Sequence, residues 1–183
     1  MGKLPVPMPP PVEMLRRRRA QMRRQRQIWI LLGILCLIGL AAAVVFSQLI
    51  LVHRNQGLGM FPTARDGDLV LARRGEKNWQ KNDLVIFRLE GETHMGRIVA
   101  EENDEVMMDG SGLLLVNGTV QNAQVLYPTY ARENARYPQR VPEGQVCILG
   151  DHRTQCRDSR DHGCIPVEDI LGKVVVIVRT GDL

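Results

Sequence analysis

The stretch GLGMFPTARDGDLVL, Gly57–Leu71, stands between a long apolar segment and a series of short runs rich in Val, Ile and Leu. Its first part contains the Gly and Pro residues that favour turns, and Asp66 and Asp68 are also typical of turns. Its last part begins the first of the short runs. The stretch therefore marks the point at which the chain enters a β-sheet domain.

Short runs of β-branched and aliphatic residues, separated by Gly, Asp and Asn, continue from this stretch to the end of the chain. Asn117-Gly118 predicts a two-residue hairpin turn, because both central positions of such a turn need a positive φ. The segment Ala123–Arg140 predicts an irregular loop. The fold is therefore predicted to be mainly β, with one core in residues 53–183. The predicted strands are Leu69–Arg73, Asp83–Leu89, His94–Ala100, Glu105–Met108, Leu113–Val116, Gln145–Leu149 and Lys173–Arg179.

Before the stretch, residues 28–52 contain no charged side chain. At about 1.5 Å per residue, this segment is long enough to cross a hydrocarbon layer of about 30 Å. A cleaved signal peptide ending near Ala41–Ala43 is the alternative, but the apolar run continues past those alanines. We expect an uncleaved, single-pass transmembrane helix at residues 28–52, with membrane lipid as one partner.

The basic residues of the chain are concentrated in front of this segment. Residues 1–27 carry eight basic residues and one acidic residue, so the remainder carries a net −3 out of a total of +4. The Arg16–Arg19 cluster predicts a cytoplasmic N-terminus and an extracytoplasmic location for residues 53–183. Residues 1–27 are predicted to be a disordered tail. Because the excess charge lies in a tail and not on a folded face, nucleic acid is not expected as a partner.

Three of the four cysteines, Cys147, Cys156 and Cys164, follow the apolar segment. On the oxidising side of a membrane they allow one internal disulfide, and Cys156–Cys164 is the pair closest in sequence. Together with His152 and His162 the last two cysteines form the pattern H-x3-C-x5-H-x-C, whose spacing fits no standard zinc finger. No metal or cofactor is therefore expected.

A series of short motifs occurs in a fixed order after the apolar segment. Its last long member, which we call the last motif, is GDHRTQCRDSR, Gly150–Arg160, and two short segments after it close the series. The series resembles bacterial type I signal peptidase along nearly all of residues 28–183, and the single anchor with a short domain is similar to the Gram-positive form. The resemblance implies a coiled β-sheet domain on one N-terminal transmembrane helix. The other motifs are Gly59–Thr63, Asp66–Leu71, Asn82–Phe87, Gly96–Val99, Leu115–Gly118, Val141–Gly144, Ile165–Val167 and Ile170–Lys173.

The family cleaves signal peptides with a serine nucleophile and a lysine general base. The serine belongs to a Ser-Met-x-Pro-Thr segment, and the lysine directly precedes an arginine. Alignment on Met60-Phe61-Pro62-Thr63 and on Arg97 places Gly59 and Gly96 at these two positions. Gly57 stands where many members carry a hydroxyl that stabilises the oxyanion. Neither the nucleophile nor the base is present, and a serine needs a neighbouring base to attack. The resemblance therefore implies a catalytically inactive member.

The last motif departs from the family's Gly-Asp-Asn-Arg-x-x-Ser-x-Asp-Ser-Arg at two positions, with His152 for Asn and Cys156 for Ser. The resemblance implies that the remaining motif residues bind peptide or brace the site. These residues are Met60, Pro62, Asp151, Arg153, Asp158, Ser159 and Arg160.

Two classes of function follow from the resemblance. The first is a noncatalytic protein that binds exported preproteins and assists their export or surface assembly; members without the dyad are associated with pilus assembly, which adds pilins as partners. The second is an active signal peptidase with a non-standard dyad, using His94, which shares a strand face with Gly96, or Cys156 with His152. A structural anchor without a peptide partner is a third alternative.

Overall fold

The computed structural model describes residues 11–121, 127–132 and 136–180, with side chains from residue 22 onward. The chain divides into two compact units at Phe46 and Ser47. The first unit is helical and the second is a β domain.

The described residues of the helical unit belong to one long helix, α1, at Pro11–Leu49, whose last three residues fall in the second unit. Its segment Met22–Leu49 is long and apolar enough to cross a bilayer, and its side chains are exposed, which is consistent with a membrane anchor. The predicted disordered tail needs correction, since residues 11–27 are helical; residues 1–10 lie outside the described part. Arg, Gln and Met are good helix formers, so the basic segment continues the helix of the apolar one. The helix ends at Leu49, three residues before the predicted end of the span.

The β domain contains eleven strands and two short helical turns among the described residues. Mainly β architecture is thus confirmed. The strands are β1 (Ile50–Arg54), β2 (Leu69–Arg73), β3 (Leu84–Leu89), β4 (Glu92–Ala100), β5 (Glu105–Met108), β6 (Leu114–Val116), β7 (Thr119–Val120), β8 (Gln139–Arg140), β9 (Gln145–Leu149), β10 (Ile165–Pro166) and β11 (Ile170–Val178). The helical turns are α2 (Ser159–His162) and a 3₁₀ turn (Val167–Asp169).

All seven predicted strands coincide with observed ones. The last, β11, begins three residues earlier than expected, at Ile170. Asn117 and Gly118 have φ values of 51° and 74°, as the predicted hairpin requires. The described parts of Ala123–Arg140 are irregular as predicted, except for β8 at the end; residues 123–126 and 133–135 of that segment lie outside the described part. Sequence analysis missed β1, β7, β8 and β10, of which all but β1 are only two residues long.

The strands form two antiparallel sheets, of seven and four strands. The larger has the order β1-β2-β11-β3-β4-β9-β10, and the smaller has the order β7-β6-β5-β8. Strands β4 and β9 of the larger sheet and β5 and β6 of the smaller one share a single buried cluster, which joins the sheets. A second cluster around Phe87 and Ile148 lies between β3, β4, β9 and β10.

A third cluster fills the inside of the larger sheet. Met60 and Ala64, from the loop after β1, pack there against residues of β2, β3 and β4. Although three strands separate β1 from β4 in the sheet order, both strands line one cavity, so the sheet curls back on itself. This curl is the coiled sheet that the resemblance implied.

Candidate functional site

The cavity between β1 and β4 has a volume of about 540 Å³. One wall is formed by residues 53–56, at the end of β1, and the other by residues 92–95, at the start of β4. Among the described residues, β1 pairs with β2 alone, and Glu92–Gly96 of β4 pair with β3 alone. Two unpaired strand edges therefore face the same cavity, which we call the groove.

Backbone hydrogen bonds indicate which groups these edges present. The Asn55 N–H donates to the carbonyl of Asp68, which directly precedes β2. The Ile98 N–H donates to the carbonyl of Asp83, which directly precedes β3. Backbone groups of an antiparallel strand alternate between its two sides. The N–H groups of Arg54 on β1, and of Thr93 and Met95 on β4, are therefore directed to the open side.

The loop that carries the first motif follows β1 directly. The Gly59 carbonyl accepts a hydrogen bond from His152 N–H at 3.0 Å, which ties this loop to the last motif. Met60 is 2% exposed and anchors the loop in the core, whereas Pro62 is exposed. A Cβ on Gly59 would lie 3.2 Å from Cys156 Cβ, closer than ordinary van der Waals contact. The position that holds the nucleophile in the family thus faces Cys156.

Gly96 lies in β4, opposite Val85 of β3, and is fully enclosed. A Cβ built there would lie 2.4 Å from Ile148 Cγ2 and 3.0 Å from Phe87 Cε1. Both distances are shorter than van der Waals contact, so no side chain fits unless Ile148 moves. The position of the family's general base lacks an amine, and the space for one is filled by hydrocarbon.

Three motifs meet at Asp151. Arg97 binds this carboxylate with two hydrogen bonds, Nε to Oδ1 at 2.8 Å and Nη2 to Oδ2 at 2.7 Å. Thr63 Oγ1 donates to the same Oδ2 at 2.5 Å. Asp151 is buried, and two-pronged bonding by an arginine fixes both position and orientation. The contact braces the first motif, β4 and the last motif against one another.

Asp158 organises the last motif from inside the protein. It caps α2 and accepts hydrogen bonds from Arg160 Nε at 2.9 Å, from Arg160 Nη2 at 2.9 Å and from Gly150 N–H at 3.2 Å. Burial opposes ionisation of Asp158, but the bonds and charge of Arg160 outweigh burial and hold its pKa below the ordinary value. Ser159 Oγ accepts from Ile148 N–H at 2.9 Å and joins this motif to β9.

The Arg153 side chain is buried and bonds to a segment outside the last motif. It is 3% exposed, and its Nη1 donates to Thr129 Oγ1 at 2.7 Å. Its carbonyl accepts from Arg160 Nη2 at 2.6 Å. The last motif thus supplies braces at Asp151, Arg153, Asp158, Ser159 and Arg160.

The thiol of Cys156 donates a hydrogen bond to the carboxylate of Asp158. Its Sγ lies 2.9 Å from Asp158 Oδ2, and burial, followed by the negative charge of Asp158, raises the pKa of Cys156 to about 12. The His152 ring stacks on Tyr127 at 4.0 Å, and its Nδ1 pairs with Thr154 Oγ1. The described contacts of these two residues therefore point in different directions and make no Cys–His pair.

His94 lines the groove and packs against Phe87, with ring centroids 6.0 Å apart. Burial lowers its pKa, although Glu92, 3.7 Å away, acts in the opposite direction. His53, on the facing wall, also has a pKa lowered by burial and by the proximity of His94. Both rings are therefore neutral near pH 7. Each can donate one hydrogen bond and accept one from a ligand in the groove.

The disulfide expected between Cys156 and Cys164 is absent. Cys147, Cys156 and Cys164 are all free thiols. Cys164 lies beside Cys147, whereas Cys156 is directed to Asp158. Within the described ranges, no group of three or more His, Cys, Asp and Glu side chains is placed to hold a metal ion.

Comparison with known proteins identifies the family. The profile of the family described as "Signal peptidase, peptidase S26" matches residues 25–179. The chain belongs to this family. Among its relatives, signal peptidase I of Bacillus caldolyticus is 24% identical over 170 residues, which cover 84% of this chain and 91% of that protein.

Higher identity occurs with chloroplast members of the family. Probable thylakoidal processing peptidase 2 of Arabidopsis thaliana is 37% identical over 131 residues, 63% of this chain. The match covers 34% of that protein, so the chain spans about a third of its length. A solved signal peptidase I from Enterococcus faecalis V583 has 23% identity and a TM-score of 0.45, covering 55% of this chain and all of that one.

The residues that form the two walls of the groove were not predicted from sequence. The wall at β1 was missed because Ile50, Leu51 and Val52 were assigned to the apolar span. The side chain that fills the space at Gly96 belongs to Ile148, for which the sequence carries no separate signal. No alternation of apolar and polar residues marks Ile50–Arg54 as a strand, because Ile50, Leu51 and Val52 are consecutive apolar residues.

Proposed function

We propose that this chain is a membrane-anchored member of the signal peptidase S26 family that binds an extended segment of an exported preprotein without cleaving it. The observation that carries the proposal is the groove: two unpaired strand edges, of β1 and β4, line one cavity. By holding its ligand, the protein assists export or surface assembly, and pilins are one class of such ligand.

The groove suits an extended peptide because both walls present backbone donors and acceptors. A peptide strand placed between β1 and β4 can pair with both edges, which is the β-augmentation mode of peptide recognition. Such a strand would fill the gap in the curled sheet. Arg54 on one wall and Thr93 and Met95 on the other supply the open backbone groups.

The chemistry beside the groove favours binding over cleavage. Gly59 and Gly96 supply no hydroxyl and no amine. The side chain beside Gly59 belongs to Cys156, and its thiol, with a pKa of about 12, is almost wholly protonated at neutral pH. A peptide carbonyl placed over Gly59 would meet backbone N–H groups but no activated nucleophile.

A direct experiment measures binding and cleavage together. The full chain in detergent is mixed with a fluorescent peptide that contains the cleavage region of a signal peptide. Anisotropy measures binding, and mass spectrometry measures cleavage. We expect saturable binding and an intact peptide.

A matched pair of variants tests the groove. Thr93 is exposed, and its N–H is directed to the open side, so T93P removes one donor without breaking a bond to β3. We expect T93P to weaken binding about fivefold, the worth of one hydrogen bond, and T93A to bind like the unchanged protein. Equal binding by both variants would contradict pairing at this edge.

The alternative, an active peptidase with a non-standard dyad, predicts the opposite result. Sustained turnover that is abolished by C156A or H94A would overturn the proposal. If the protein binds no peptide at all, the proposal is wrong and the third alternative, a structural anchor without a peptide partner, is supported.

A further inference from the structure

Two cysteines of the β domain lie opposite each other across neighbouring strands. Strands β9 and β10 are antiparallel, with Ile165 opposite Val146 and Pro166 opposite Gln145. Continuing this register by one residue places Cys164 opposite Cys147. Directly opposed residues of antiparallel strands have their Cβ atoms about 4.5–5.5 Å apart.

The side chains confirm this juxtaposition. The two thiols are within hydrogen-bonding reach of each other. Cys147 is 3% exposed and belongs to the buried cluster that joins the two sheets; Cys164 is half-buried and packs against the same cluster. Opposed residues of antiparallel strands have Cα atoms about 4.5–5.5 Å apart, which lies within the range of about 4.4–6.8 Å that a disulfide spans.

We propose that Cys147 and Cys164 are a redox-active pair that closes to a cross-strand disulfide when the domain meets a disulfide-bearing oxidant. The bond would join the two ends of the segment 147–164. That segment carries Asp151, Asp158 and Arg160, which brace the site. The pair replaces the Cys156–Cys164 link expected from sequence, and the proposal does not depend on what the groove binds.

The reaction proceeds in two exchanges. The Cys164 thiolate attacks a sulfur of the oxidant, forming a mixed disulfide and releasing one thiol of the oxidant. The Cys147 thiolate then attacks the Cys164 sulfur and releases the second thiol. The oxidant gains the two electrons, and the two protons lost by the cysteines end on the released thiols.

The order of attack follows from the environments of the two sulfurs. Cys164 is partly exposed, and the hydrogen bond from Cys147 lowers its pKa. The same hydrogen bond, together with burial, raises the pKa of Cys147. Because the thiolate is the attacking species, Cys164 reacts first and Cys147 resolves the mixed disulfide.

The test uses the full chain in detergent with a C36S substitution, so that only the three thiols of the β domain are counted. The reduced protein is treated with oxidised glutathione, denatured, alkylated and mapped by mass spectrometry without reduction. We expect a Cys147–Cys164 linked peptide and alkylation of Cys156 alone. A C156S substitution should leave the linked peptide unchanged.

Single variants test the order of attack. C147A should accumulate glutathione on Cys164, whereas C164A should leave Cys147 unmodified. If either variant fails to fold, the peptide map of the C36S protein still shows whether the Cys147–Cys164 disulfide forms. Alkylation of both Cys147 and Cys164 after oxidation, or a link from Cys156 to either of them, would overturn the proposal.

Discussion

The side chain of Ile148 occupies the space into which any side chain at Gly96 would project. A Cβ at Gly96 would lie 2.4 Å from Ile148 Cγ2, and both residues are buried. The position that the motif alignment assigns to the general base therefore lacks an amine and is also closed by packing. The consequences of this contact can be measured as stability and as activity.

The contact predicts that G96A destabilises the protein although alanine is small. The added methyl group overpacks the core, which costs about 1–3 kcal/mol. I148A removes Cγ2, so the same G96A substitution should cost less in an I148A background. Denaturant unfolding of the four proteins in this double-mutant cycle measures the coupling. Additive effects of the two substitutions would contradict the packing argument.

The same contact predicts the outcome of restoring the dyad. G59S with G96K should remain inactive, because the lysine stem has no room beside Ile148. Adding I148A should give measurable cleavage of a preprotein, followed by gel or mass spectrometry. G59S with I148A, which lacks the lysine, is the matched control and should stay inactive. Cleavage by G59S with G96K alone would show that the space opens without help.

The Arg97–Asp151 contact predicts a large stability loss on truncation. D151A would leave the half-buried guanidinium of Arg97 without its carboxylate, which costs about 3–5 kcal/mol. R157A provides the comparison, because Arg157 and its partner Glu90 are both exposed. Exposed pairs contribute about 0–1 kcal/mol. Similar losses for D151A and R157A, measured by denaturant unfolding, would contradict the bracing role.

The raised pKa of Cys156 predicts slow alkylation near neutral pH. Only the thiolate reacts, so the rate at Cys156 should rise tenfold per pH unit and level off only near about pH 12, or at the pH where the domain unfolds. Cys164, whose pKa is lowered, should react faster at pH 7. Site-resolved mass spectrometry with iodoacetamide gives both rates. Faster alkylation of Cys156 than of Cys164 at pH 7 would support a catalytic role for Cys156.

Much of the fold is predictable because the strands of the β domain differ strongly from the turns between them. The hairpin at Asn117-Gly118 is an example, since few residue pairs accept positive φ at both positions. Strand β1 was not predictable in the same way. Hydropathy alone does not distinguish Ile50–Val52 as the start of a strand from the end of a membrane span.

The details of the site depend on strand register, which the sequence does not specify. In the pairing of β4 with β9, Arg97 lies opposite Leu149 and Ile98 lies opposite Ile148, and this register brings Ile148 towards Gly96. Likewise, proximity in sequence favoured Cys156 as the partner of Cys164, whereas the register of β9 and β10 selects Cys147. The motif alignment predicts Gly59 and Gly96 at the dyad positions, and only packing shows that the space beside Gly96 is filled.

The two open edges of the groove also determine what kind of chain can occupy it. If the groove binds peptide as proposed, backbone pairing would not depend on the identity of the ligand's side chains, so the groove would accept segments of widely different sequence. A segment already wound into a helix, or already paired within a sheet, has no free backbone groups to offer. The groove would therefore select ligands by their conformational state, and a bound segment would dissociate from the groove as soon as it folds.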